Sequence, residues 1–145
     1  MNMKKTTLIA FLLAMLAPMA SFAGSGSSTT YYAALKAQVS SNSSGMGKVY
    51  AGTSDSAGTY ETPSSTSSNQ SSTTQNDEKT FYAFAQANDG YEFVGWSTTE
   101  NGTTYASTAS PYSVKVKCSS STESSPTLTT IYANFKKKVD RKSVV

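Results

Sequence analysis

The sequence predicts a mainly β protein built on a small antiparallel sheet, and three observations carry that prediction. Apolar and polar residues alternate at period two in about six short runs, the mark of half-buried strands. Turn formers such as Asn88-Asp89-Gly90 and Asn101-Gly102 close most of those runs. Nine Tyr, six Phe and one Trp supply the large rings that favour strands and can fill a core poor in aliphatics.

The first segment does not belong to the sheet. Lys4 and Lys5 precede a wholly apolar run from Leu8 to Ala17, followed by Pro18 and the small-x-small site Ser21-Phe22-Ala23. This is the layout of a secretory signal peptide spanning 1–23, cleaved after Ala23. The run is about half the roughly 20 residues a membrane-crossing helix needs. A Gly/Ser lead-in at 24–28 then opens into a single β domain at 29–138, with a basic tail at 139–145.

Tyr31, Ala33, Leu35, Ala37 and Val39 fall at period two and read as a strand, although Tyr31, Leu35 and Val39 also fit a helix. After a turn cluster at Asn42 to Gly47, Lys48 to Ala51 is a short second strand that leaves through Gly52. Residues 62–76 are only Ser, Thr, Asn, Gln and one Pro, so they are expected to form a long disordered Ser/Thr loop inserted in the domain. Thr80 to Ala87 alternates with aromatics on both faces. Tyr91 to Trp96 follows the Asp-Gly turn, with Gly95 placed where a bulge can turn the Trp96 ring inward. Tyr112 to Cys118 and Leu128 to Phe135 complete the set, separated by a polar loop at Ser119 to Pro126.

Composition narrows the function. Residues 24–145 hold ten basic and nine acidic side chains, so the exported form is nearly neutral. There is no His, which removes most acid–base, triad and zinc chemistry. The close carboxylate pairs, Asp77-Glu78 and Asp89/Glu92, sit in a polar segment and across a turn, where solvation rather than catalysis is expected. Asn76, Asp77 and Glu78 lack the spaced oxygen ligands of a calcium loop. No catalytic residue, cofactor or metal is therefore expected, and the chain reads as a non-enzyme. Cys118 is the one cysteine; it shares a face with Val114 and Val116 and reads as a small core hydrophobe, the alternative being a reactive thiol that pairs between molecules. No further apolar stretch could anchor the mature chain as a transmembrane segment.

The phrase Ala87-Asn88-Asp89-Gly90-Tyr91-Glu92-Phe93-Val94-Gly95-Trp96, closed by Thr130-Ile131-Tyr132-Ala133-Asn134-Phe135, resembles the divergent internalin B-repeat family. The match is closest over Thr80 to Phe135 and looser over Tyr31 to Tyr60. The resemblance implies a β-grasp-like or related small β fold, used by bacteria in secreted and cell-surface proteins as a spacer, stalk or adhesive part. Its signature residues here are Gly90, Tyr91, Phe93, Gly95, Trp96, Ala133 and Phe135.

Read together, these features point to a secreted or cell-surface binding and adhesion module, periplasmic or extracellular, whose partner is a protein or glycan on a cell surface. A carbohydrate-binding protein is the alternative, with Tyr32, Tyr82 and Tyr132 as the candidate ligand surface. Nucleic acid is an unsuitable partner for an exported chain. Asp55-Ser56-Ala57 is similar to the O-glycosylation triplet of exported Bacteroidetes proteins, which makes Ser56 the candidate acceptor.

Overall fold

Alternation between buried and open positions decides how each strand lies. In a computed structural model that describes residues 27–58 and 65–139, Tyr31–Val39 is a strand, β1, with Ala33, Leu35, Ala37 and Val39 all buried on one face. The helical option is thereby closed: period two places all four on one side, whereas a helix would scatter them. The signal peptide at 1–23, residues 62–64 and the tail beyond Val139 lie outside the described residues.

Six further strands follow: β2 Gly47–Gly52, β3 Ser65–Ser72, β4 Asp77–Ala87, β5 Tyr91–Ser97, β6 Tyr112–Cys118 and β7 Thr127–Lys137. The mainly β class is as the alternation predicts, but the strands divide between two sheets rather than forming one. One has the order β3-β1-β7-β5, the other β2-β4-β6. Among the described residues the one helical element is a 3-10 turn at Ser41–Ser43, so no α-helix lies on either sheet. All pairings are antiparallel except β1 with β7, which run parallel, Ala33 opposite Thr127 through Val39 opposite Ala133.

The two sheets enclose one core. From the first come Ala33, Leu35, Ala37, Val39, Trp96, Ile131, Ala133 and Phe135; from the second, Val49, Ala51, Phe81, Ala83, Val114, Val116 and Cys118. Small alanines on β1, β4 and β7 face the rings of Phe81, Trp96 and Phe135, the large-against-small arrangement that fills space at native density. Each fully buried large apolar side chain contributes about 1.5–3 kcal/mol.

Residues 65–72 correct the expectation of a disordered loop across 62–76. They form β3, paired along eight positions with β1, from Ser65 opposite Gln38 to Ser72 opposite Tyr31. The physical reason lies in where the polar side chains end. Thr66 Oγ1 accepts a hydrogen bond from Ala51 N (2.8 Å) and Gln70 Nε2 donates to Thr80 O (2.7 Å). These two inward-facing side chains are thus paired with backbone of the opposite sheet, which removes the cost that their burial would otherwise carry. β1 supplies the backbone partners. Residues 73–76 turn directly into β4.

β5 carries a register shift between Phe93 and Gly95. Phe93 and Trp96 are three positions apart, an odd spacing that would put them on opposite faces of a regular strand. The bulge restores a common face. Their rings meet edge-on at 5.3 Å, and Phe93 also lies 5.6 Å from Phe135. Gly95 is needed because a Cβ there would stand 2.7 Å from the Tyr105 ring and 2.9 Å from its Cβ. Gly90 closes the preceding turn at φ +87°, a conformation only glycine adopts freely. Of the signature residues, Ala133 and Phe135 lie on β7 directly opposite Trp96 and Phe93, and Tyr91 is half-buried at the start of β5.

Candidate functional site

The inner face of each sheet is committed to the core, so ligand contact falls to the outer faces and the loops. On β1 the outward positions are Tyr32, Ala34, Lys36 and Gln38; on β3 they are Ser65, Ser67, Asn69 and Ser71, each the register neighbour of a β1 residue. Hydroxyl and amide groups dominate the β3 side of this face. At its β3 end Tyr32, Asn69, Gln70, Ser71 and Glu123 line a recess of about 210 Å³.

The walls of that recess are held from behind. Tyr32 N donates to Ser120 O at 2.7 Å, tying β1 to the loop between β6 and β7. Within the loop Ser120 Oγ donates to Ser125 O (2.7 Å), Thr122 N donates back to Ser120 Oγ (3.2 Å), and Ser125 N donates to Thr122 O (3.1 Å). Three bonds over six residues make a closed turn with Glu123 at its tip. Among the described residues none hydrogen-bonds the Tyr32 phenol, the Asn69 amide, the Ser71 hydroxyl or the Glu123 carboxylate. The recess therefore presents one aromatic ring and three unengaged polar groups on fixed supports.

The three tyrosines singled out from the sequence do not meet. Tyr32 and Tyr132 share the outer face of the four-stranded sheet, but Tyr132 pairs with Gln38, six positions along β1 from Tyr32, or about 20 Å. Tyr82 lies on β4, in the other sheet, on the outer face with Tyr50 and Phe84. Tyr50 and Phe84 stack obliquely at 5.9 Å, and Phe84 is buried although it points away from the core. A shared three-tyrosine platform is ruled out by topology.

Asn69, Ser71 and Glu123 escape the sequence reading. The first two stand in a segment with no apolar periodicity to betray a strand, and Glu123 is one acid in a serine-rich loop. From Thr66 to Ser72 half-buried and exposed positions alternate, a pattern that only the pairing with β1 creates. A second recess, about 200 Å³, is lined by Gln38, Val39, Ser40, Ser41, Ser44 and Glu100. Its carboxylate is already engaged, Glu100 Oε2 accepting from Ser41 N at 3.2 Å.

Among the described residues, Asp77 and Glu78 each pair with a lysine. Asp77 Oδ2 lies 3.1 Å from Lys79 Nζ, a half-buried pair, and Glu78 Oε1 lies 3.8 Å from Lys115 Nζ, an exposed pair on the opposite face of β4. The Ser72 hydroxyl, then the Lys79 ammonium, hold the Asp77 carboxyl below its ordinary value. No group of three His, Cys, Asp or Glu that could hold a metal occurs among the described residues. Cys118 is a fully buried free thiol, and burial raises its pKa. Ser56 is exposed in the bend after β2, its backbone tied to Ser54 Oγ. No helix among the described residues is long and apolar enough to cross a membrane.

Compared with protein-family models, curated proteins and solved structures, the chain matches none of them.

Proposed function

We propose that this chain is an exported, non-enzymatic contact module that binds a protein or glycan at a bacterial cell surface, in keeping with the internalin B-repeat resemblance of its Gly90 to Trp96 phrase. One observation carries the reading: among the described residues most apolar side chains are gathered between two sheets, and the outer faces offer hydroxyls, amides and tyrosines on hydrogen-bonded strands, with Glu78 there paired to Lys115 as an exposed ion pair. Turnover needs a nucleophile, base or metal brought to one point; contact needs only a fixed surface. The leader at 1–23 supports export, with the mature chain starting at Gly24.

Ser56 is an additional point of contact chemistry. Its exposure on a bend suits an O-glycan acceptor, and an intact mass equal to that of the bare polypeptide from the native host would remove that assignment.

The carbohydrate reading is favoured over a protein partner by the Tyr32 recess, where a ring and polar groups converge. To test the reading, the full chain is purified from culture supernatant, labelled, and applied to whole bacterial cells, to arrayed glycans and to surface-protein extracts. Chromogenic ester, peptide and glycoside substrates are assayed in parallel. Saturable binding without turnover is expected. Turnover proportional to protein concentration, and retained through purification, would put the chain among enzymes instead.

A further inference from the structure

We infer that the recess between the β3 edge and the 119–126 loop is a saccharide subsite that takes a neutral, hydroxyl-rich sugar, with Tyr32 as its stacking face. This rests on the contact-module reading and goes further by naming the residues and the ligand class.

Chemistry selects the ligand. A pyranose has one apolar face of C–H groups and an equatorial rim of hydroxyls. An aromatic ring suits the first and planar amide or carboxylate groups suit the second. The lining supplies both: Tyr32 as the ring, with Asn69, Ser71 and Glu123 as donors and acceptors around it. Asn69 and Ser71 stand two positions apart on β3, so their side chains lie on one face, beside Tyr32, which pairs with Ser71. Glu123 sits on the loop that Ser120 clamps to Tyr32 N.

The charge excludes anionic sugars. The lining holds one carboxylate and no cation, so a uronate or sialate would meet repulsion with nothing to offset it. A lone carboxylate also separates this subsite from a glycosidase, which uses two flanking the scissile bond. Preorganisation favours affinity: the two strands and the loop that carry the four side chains are already hydrogen-bonded, so little freedom is lost on binding. At about 210 Å³ the recess accommodates one sugar ring, and Asn69 and Leu128 flank Ala34 on the outer face beside it. Leu128 is 54% exposed there.

The test uses the full exported chain on an array of neutral and acidic oligosaccharides, followed by calorimetric titration with the best soluble neutral ligand. Tyr32→Ala should weaken that ligand about tenfold or more, the loss of a stacking partner. Tyr32→Phe should stay within about threefold, because the ring remains. Asn69→Ala and Glu123→Gln, both at exposed positions that leave the core intact, should each weaken binding several-fold, and Tyr82→Ala on the opposite sheet should leave it unchanged. Neutral glycans bound with no effect of Tyr32→Ala or Asn69→Ala would place the subsite elsewhere and overturn this inference while leaving the contact module standing. A preference for acidic glycans would overturn the ligand class. Binding to surface proteins with no glycan bound would overturn the subsite alone, and a chain that binds no cell-surface component would take the proposed function with it.

Discussion

Replacing Trp96 by Ala removes the largest fully buried side chain among the described residues and leaves a hole between the sheets. Truncating a core tryptophan costs about 3–5 kcal/mol. Two local features push this case toward the upper end. Trp96 Nε1 donates to Ala109 O at 3.0 Å, a bond worth about 1 kcal/mol, and the Phe93 ring packs edge-on against the indole at 5.3 Å. A domain of this size has about 5–15 kcal/mol in total, so a large share of the margin is lost at one position. With a urea slope of about 1–3 kcal/mol/M, a loss of 4 kcal/mol moves the midpoint by roughly 2 M. Far-UV circular dichroism reads the transition without relying on the tryptophan that has been removed. Trp96→Phe keeps a ring and loses the N–H, so its midpoint should fall between the other two. A Trp96→Ala midpoint within about 0.5 M of the parent would refute the claim that this ring organises the core.

Other outcomes follow from the same structure. Gly95→Ala forces a methyl to within 2.7 Å of the Tyr105 ring and should cost about 1–3 kcal/mol, read as a lower melting temperature. Cys118 should resist a thiol reagent in the native protein and react fully in urea; because burial raises its pKa above the ordinary 9.0, its contribution to stability is present below that value and is lost as pH rises through the folded pKa. Asp77 behaves in the opposite sense: its folded pKa is depressed below 3.8, so its contribution is present above that value and fades as acid titrates the folded carboxyl, and Asp77→Asn should flatten that limb of a pH–stability curve. Thr66→Val leaves the Ala51 N–H without its 2.8 Å acceptor and should speed amide exchange along β2 and β3.

What the sequence discloses is what local alternation can carry. The inward faces of β1, β4, β6 and β7 are legible because Leu35, Phe81, Val116 and Ile131 recur at period two among polar neighbours, and the bulge is legible because Phe93 and Trp96 are odd-spaced around a glycine. β3 is not, since Thr66, Ser68 and Gln70 look the same to a hydropathy pattern whether they face water or backbone of the opposite sheet. The division into two sheets and the parallel pairing of β1 with β7 are contacts between segments far apart in the chain, which no local pattern encodes. The Tyr32 recess inherits that gap: its ring could be picked out as a surface tyrosine, but Asn69, Ser71 and Glu123 join it only through β3 pairing and the Ser120 clamp.

The most direct measurement is a map of amide chemical shifts in the isotope-labelled exported chain, titrated with a neutral oligosaccharide that it binds. Shifts concentrated at Tyr32, Asn69, Ser71 and Glu123, with Phe81 and Trp96 unmoved, are the expected result. Shifts centred on the outer face of the β2-β4-β6 sheet, or spread evenly through both sheets, would contradict it.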